Sequence, residues 1–276
     1  MSEPEQREGR AQGRGEEVER ARGRGTRSRR RVETKPFLLL SIRAEPAAAD
    51  NEYESFLRFT ALDEADLRLV NLAREELAPV SLDDWSGILP GGGPWNASDL
   101  QDTKSDAQLR SERAISALLD DVIARDFPFL GACYGIGTLG LHQGGVVDRS
   151  WPEPVGPLAV TLTADGEKDP LLVGVPSEFA AYGGHKEAMV RLPLGAVRLA
   201  TSDACPVQAF RVGRNVYATQ FHPELDLEGI CTRIDVYKHA GYFDPHAAEA
   251  VKAQSREVEV THPMTLLTNF VELHRR

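Results

Sequence analysis

Residues Phe127 to Val147, FPFLGACYGIGTLGLHQGGVV, decide the fold. The apolar run Phe129-Leu130 leads into Gly131-Ala132-Cys133-Tyr134-Gly135, and a helix-compatible segment follows, closed by Gly144-Gly145. This predicts a strand, a sharp turn and a helix, with Cys133 at the turn. The G-x-C-x-G spacing is the thiol form of a nucleophile elbow. Small residues flank the turn because it is strained and passes close to its neighbours. The helix that begins there points its positive end at the sulfur, a placement that favours the thiolate.

An elbow alone is also compatible with a buried cysteine between a core strand and a helix. A second motif shifts the balance. Tyr217-Ala218-Thr219-Gln220-Phe221-His222-Pro223-Glu224 is an apolar strand that delivers His222, with Glu224 two positions later. A thiol nucleophile needs a base, and the base needs a group that fixes its tautomer. Cys133, His222 and Glu224 supply all three. A third motif, Trp85-Ser86-Gly87-Ile88-Leu89-Pro90-Gly91-Gly92-Gly93-Pro94, is a strand running into a glycine loop. In an α/β fold such a loop lies at the carboxyl edge, where ligands bind.

These three motifs, in this order, resemble the class I glutamine amidotransferases over roughly residues 37 to 240. The nearest likeness is to the amidotransferase domain of GMP synthase and its free-standing paralogues. The resemblance implies an α/β fold, an open, mostly parallel, flavodoxin-like sheet flanked by helices. It implies a catalytic Cys133, His222 and Glu224, with an oxyanion hole from the backbone N–H groups of Gly93 and Tyr134. Gly92, Gly137, His185 and Gln220 would border the substrate. His185 follows Gly183-Gly184, where the family often has a loop histidine near the glutamine site; a purely structural loop histidine stays equally open. One departure stands out. The family commonly reads G-x-C-x-G-x-Q, and Gly137 occupies the glutamine position. The resemblance then predicts poor glutamine hydrolysis by this chain alone, and tighter binding in a Gly137→Gln variant. No metal or cofactor is expected, since the spacing of these residues matches no zinc pattern.

Composition is consistent with this reading. The 276 residues are 41% hydrophobic, enough for a substantial core, and carry a net charge of −10. Residues 1–35 hold ten Arg and one Lys against seven Glu, a net +4, which leaves −14 for the body. An acidic body argues against nucleic acid as a ligand. No run of eighteen apolar residues occurs, so no membrane span is expected. Cys133, Cys205 and Cys231 form no C-x-x-C pair and point to a reducing, cytoplasmic setting.

Along the chain, residues 1–35 are Arg, Glu and Gly-rich and predict a disordered tail. A catalytic domain is expected over 36–245 and a helical, partner-facing extension over 246–276. Strands are predicted at Phe37–Ile42, Leu67–Leu72 and Gly87–Leu89. A helix capped by Asp50 or Asn51 should cover Tyr53–Thr60, and an amphipathic helix Gln108–Arg125. Strands at 158–163, 179–182, 197–200, 207–212 and 216–220 should precede a helix over 227–240, with a hairpin turn at Gly213-Arg214-Asn215.

Three functions are compatible with these residues. The leading one is a glutaminase that supplies ammonia to a separate acceptor synthetase, because no S-G-G-x-D-S or G-x-x-x-x-G-K-S/T loop is present to consume it. The second is a hydrolase of other γ-glutamyl amides. The third is a non-enzymatic regulator that keeps the fold. A homo-oligomer stays open.

Overall fold

The structure is a computed structural model and describes residues 34–276. The tail expected over 1–35 therefore lies outside the described residues, apart from Thr34 and Lys35. Residues Thr34–Arg276 form one unit.

Strand β1, Phe37–Ser41, is buried at every position. Its alternating side chains serve two cores: Phe37 and Leu39 join one cluster, Leu38 and Leu40 the other. A strand buried on both faces has no polar side, which explains the continuous apolar run. Strands β2 (Leu67–Asn71), β3 (Gly87–Pro90), β4 (Phe129–Ala132) and β11 (Val216–Thr219) complete a parallel half, in the order β2-β1-β3-β4-β11. An antiparallel half continues through β10 (Ala209–Val212), β9 (Val197–Thr201), β6 (Glu153–Leu162) and β7 (Glu178–His185). Two short strands, β5 (Val146–Asp148) and β8 (Ala188–Arg191), pair separately. The α/β sheet flanked by helices is thus present.

Helices cover both faces. α2 (Asp106–Arg125) and α3 (Tyr134–His142) carry Ile115, Leu119, Ile136 and Leu139 into the core that takes Leu38 and Leu40. α2 starts at Ser105, whose side chain accepts from the Gln108 N–H, an ordinary N-cap. On the other face, α1 (Pro46–Thr60) and α6 (Thr265–His274) pack with Phe37 and Leu39. α4 (Leu227–Tyr237) and α5 (Ala248–Arg256) form a third cluster with Tyr182.

Three expectations need correction. α1 starts at Pro46, well before Asp50, with no side-chain cap. Proline is pre-set for the first helical position and Ala47-Ala48-Ala49 extend it at little cost. The Gly183-Gly184-His185 segment belongs to β7 rather than to a loop. Finally, the C-terminal segment is helical but does not stand off as an addition. Leu266, Leu267 and Phe270 are fully buried against the main sheet, and the Arg276 carbonyl accepts from the Lys35 N–H at 2.7 Å.

Candidate active site

Strand register gathers the three motifs at one edge. β11 pairs with β4 so that Thr219 lies opposite Ala132. The residues that follow each strand, Gln220 to His222 and Cys133, therefore emerge side by side. β3 pairs with β1 through Pro90 and Leu40, and Gly91-Gly92-Gly93 leaves at the same carboxyl edge. The Cys133 N–H donates to the Thr219 carbonyl at 2.8 Å, and the His222 N–H to the Tyr182 carbonyl at 3.0 Å.

Cys133 has φ 50° and ψ −92°. This left-handed conformation is costly for a residue with a Cβ and is held by the surrounding structure. It also places Cys133 at the N-cap of α3, so that Tyr134 is the first helical residue. N–H groups of a first helical turn have no intrahelical acceptor. His222 Nδ1 lies 2.7 Å from Glu224 Oε1, with Glu224 fully buried. A Cβ on Gly92 would overlap His222 Cε1 and come within 3.0 Å of Cys133 Cβ. Gly92 is therefore wedged between the thiol and the imidazole, and only a glycine fits there.

Burial disfavours the His222 cation, but Glu224 and Cys133 outweigh it and raise the imidazole to about 9. Burial likewise disfavours the Glu224 carboxylate. His222, Arg233 and Arg43 reverse that and lower it to about 2. Both shifts favour an imidazolium–carboxylate pair at neutral pH. The arrangement can hold a protonated imidazole beside the sulfur, and attack by a thiolate on an amide needs such a proton donor for the leaving nitrogen.

Two cavities adjoin Cys133 and share Gly93, Cys133 and Tyr242 in their walls. The first also takes in His222, Arg43, Arg233 and Tyr237. The second takes in Tyr134, Gly137, His185, Glu187 and Gln220. All the residues expected at the site from sequence thus border one or the other cavity, or, in the case of Gly92 and Glu224, contact their lining.

The second cavity explains Gly137. A Cβ there would sit 3.0 Å from Glu187 Oε1 and 3.1 Å from the Ala97 Cβ. The Glu187 carboxylate fills the space in front of Gly137, accepting from the Ala97 and Ser98 N–H groups at 2.7 and 2.8 Å. A side chain at Gly137 therefore requires Glu187, which two N–H groups hold, to give way slightly. His185 lines this cavity, but both ring nitrogens are engaged, Nδ1 with the Glu187 carbonyl at 2.9 Å and Nε2 with Glu153 Oε2 at 2.8 Å. It ties the connection between β7 and β8, where Glu187 lies, to Glu153. Buried Gln220 keeps Oε1 without a hydrogen-bond partner.

Among the described residues, one group has metal-ligand chemistry: Glu153, His185 and Cys205, within 4.8 Å of one another. Ser202 donates to Glu153 Oε1 at 2.7 Å and Gln208 donates to Oε2, so the carboxylate is already saturated by protein donors.

Sequence reasoning missed Arg43, Glu52, Glu187, Arg233 and Tyr242. Arg43 Nε is 2.8 Å from Glu52 Oε1, and Ser41 Oγ donates to Glu52 Oε2 at 2.6 Å, all buried. Two signals were available. Arg43 lies just past the carboxyl end of a central strand, and Arg233 interrupts the apolar stripe of α4 between Ile230 and Ile234.

The family model for glutamine amidotransferase class-I matches residues 59–230, more than half of the chain. The chain belongs to the class-I glutamine amidotransferase family. It is 30% identical over 146 residues to a glutamine-hydrolyzing GMP synthase subunit of Thermoplasma acidophilum, covering 52% of this chain and 66% of that one. It is 28% identical over 187 residues to the corresponding GMP synthase subunit of Methanoregula boonei, covering 65% and 89%. The match to the GMP synthase of Thermosipho africanus spans only 27% of that protein. The chain thus spans less than two thirds of the length of several relatives that it matches. A glutamine amidotransferase from Thermotoga maritima superposes with a TM-score of 0.65 at 21% identity, over 87% of this chain and 98% of that one. A glutamine amido transferase from Methylobacillus flagellatus gives 0.65 at 20%, over 87% and 93%; at these identities the likeness concerns the fold. No described helix is long and apolar enough to cross a membrane.

Proposed function

We propose that the chain hydrolyses the side-chain amide of glutamine through a Cys133 thioester and supplies the ammonia to a separate acceptor synthetase. The observation that carries this is the His222 ring, bonded to buried Glu224 on one side and in electrostatic contact with Cys133 on the other. Cys133 Sγ attacks the amide carbonyl, and the oxyanion is held by the N–H groups of Gly93 and Tyr134. His222 gives its proton to the leaving nitrogen and then activates water against the thioester. Glu224 orients the imidazole and supports its charge. The acyl half of the substrate lies in the Gly137 cavity, where Glu187 suits the α-ammonium and Gln220 offers a free acceptor. The catalytic domain runs over 36–245, with the two C-terminal helices buttressing its sheet. All three cysteines are unpaired, which fits a cytoplasmic enzyme.

A separate acceptor is the reading that the relatives from Thermoplasma and Methanoregula suggest, since each is one part of a glutamine-hydrolyzing synthase. The test is glutamate release from glutamine by wild-type and Cys133→Ala protein, with intact-mass detection of the acyl-enzyme after acid quench. Glutamate release and a Cys133 adduct are expected from the wild type only. Equal turnover by Cys133→Ala would overturn the mechanism.

A further inference from the structure

Glutamine loses only ammonia, which needs no pocket, yet His222 borders a cavity that opens to solvent and is lined on its other sides by apolar and cationic side chains. The two cavities at Cys133 divide by chemistry. The one bordered by Tyr134 and Gly137 lies on the acyl side, next to the first N–H groups of α3. The other is the one bordered by His222, the group that protonates the leaving nitrogen. A substituent on that nitrogen would project into it.

Its wall combines apolar surface with buried cations. Pro94, Val155, Leu225, Ile230 and Phe243 supply the apolar part. Arg43 is neutralised by Glu52 at 2.8 Å. Arg233 has no comparable partner. It is 6% exposed, and its Nη1 donates to the Ala48 carbonyl at 2.8 Å and to Asn51 Oδ1 at 3.1 Å, both uncharged acceptors. Its Nε and Nη2 have no hydrogen-bond partner. Burial, and then Arg43, lower its guanidinium to about 10 against the opposing pull of Glu52 and Glu224, neither of which makes a hydrogen bond to it. A buried donor left unmatched is costly, and a carboxylate is the group that a guanidinium fork matches best.

We infer that this cavity is a leaving-group pocket, and that the enzyme takes γ-glutamyl amides whose amine half is an apolar amino acid, with that amino acid's carboxylate held by Arg233. The inference rests on the Cys133 amidohydrolase chemistry proposed above; with these substrates the released amine is an amino acid in place of ammonia. The chemistry balances without a cofactor. The Sγ–C bond forms as the C–N bond breaks, and the His222 proton leaves on the amino acid's nitrogen. Water then converts the thioester to glutamate and free thiol.

The test compares γ-glutamyl-leucine with γ-glutamyl-isopentylamide, which has the same apolar body without the carboxylate, and with glutamine. Expected for the wild type is a kcat/KM ratio of about 10–100 in favour of γ-glutamyl-leucine over the isopentylamide, the worth of a charge-assisted contact. Arg233→Met should bring that ratio close to one, and Arg233→Lys should keep part of it. Glutamine hydrolysis without cleavage of γ-glutamyl-leucine overturns the inference. So does a wild-type ratio near one, whatever the variants do. An unchanged ratio in Arg233→Met, with all substrates slowed equally, overturns it too and makes Arg233 a support for Glu224. If none of the three substrates yields glutamate, the amidohydrolase reading itself fails, a result distinct from the others.

Discussion

Replacing Glu224 by Gln removes one negative charge and almost no volume. Glu224 Oε1 holds His222 Nδ1 at 2.7 Å inside the protein, and it is the largest influence offsetting burial in raising that imidazole to about 9. With glutamine in its place, burial is opposed by Cys133 alone, and the imidazole should fall toward its ordinary 6.5. At pH 8 a group titrating near 9 is roughly nine-tenths protonated, and one near 6.5 only about 3%. The protonation state alone then lowers kcat/KM about 30-fold at pH 8. Near pH 6 most of that factor should return, and the deficit that remains measures lost orientation. The assay is kcat/KM for glutamate release between pH 5.5 and 10, where the alkaline limb should sit near 9 in the wild type and at least one unit lower in Glu224→Gln. An alkaline limb at the same pH in both proteins would refute the reasoning. Stability should follow the same groups. Because the folded His222 is raised, its contribution is complete below about 6.5 and is lost as pH rises through about 9. The wild-type melting temperature should therefore fall between pH 7 and 10, and fall less in the variant. Glu224 is lowered, so its contribution holds above its ordinary range and is lost only as pH falls toward about 2.

Brief treatment with a glutamine-like electrophile should label Cys133, read by peptide mass spectrometry. Cys205 is buried and its thiol is pushed up to about 11, so label concentrated there would contradict the assignment. Gly137→Gln should weaken glutamine binding, seen as a higher KM, because its side chain meets Glu187 Oε1 and the Ala97 Cβ; a lower KM would show that Glu187 moves aside freely. Phe270→Ala, in the fully buried face of α6, should cost about 3–5 kcal/mol in denaturant unfolding, and a loss below 1 kcal/mol would mean that this helix is an accessory.

Sequence carried the site where chemistry leaves a local trace. The elbow is legible because a strained turn between a strand and a helix demands small neighbours, so that Gly131 and Gly135 advertise Cys133. β1 is legible because burial on both faces excludes every polar residue. The second ring of the site is not legible, because it depends on contacts distant in sequence. Glu187 accepts from Ala97 and Ser98, some ninety positions away. Arg233 and Arg43 approach one another only after α4 docks beside α1. Nor does a motif reveal that Gly137 is occupied by a neighbour's carboxylate: the missing side chain looks like a lost contact until Glu187 is seen in its place. The start of α1 was missed for a simpler reason. Asp50 and Asn51 have the chemistry of caps, whereas Pro46 fixes the first turn without one.

Gly91, Gly92 and Gly93 each press on a different part of the protein. A Cβ would meet Glu52 Oε1 at 2.7 Å from Gly91, the imidazole and thiol from Gly92, and Ile42 Cγ1 at 2.5 Å from Gly93. The loop is thus a three-point mount: one foot on helix α1, one on the reacting pair, one on the end of β1. A side chain at any one of the three positions would have to displace a different element, so the loop has room for none.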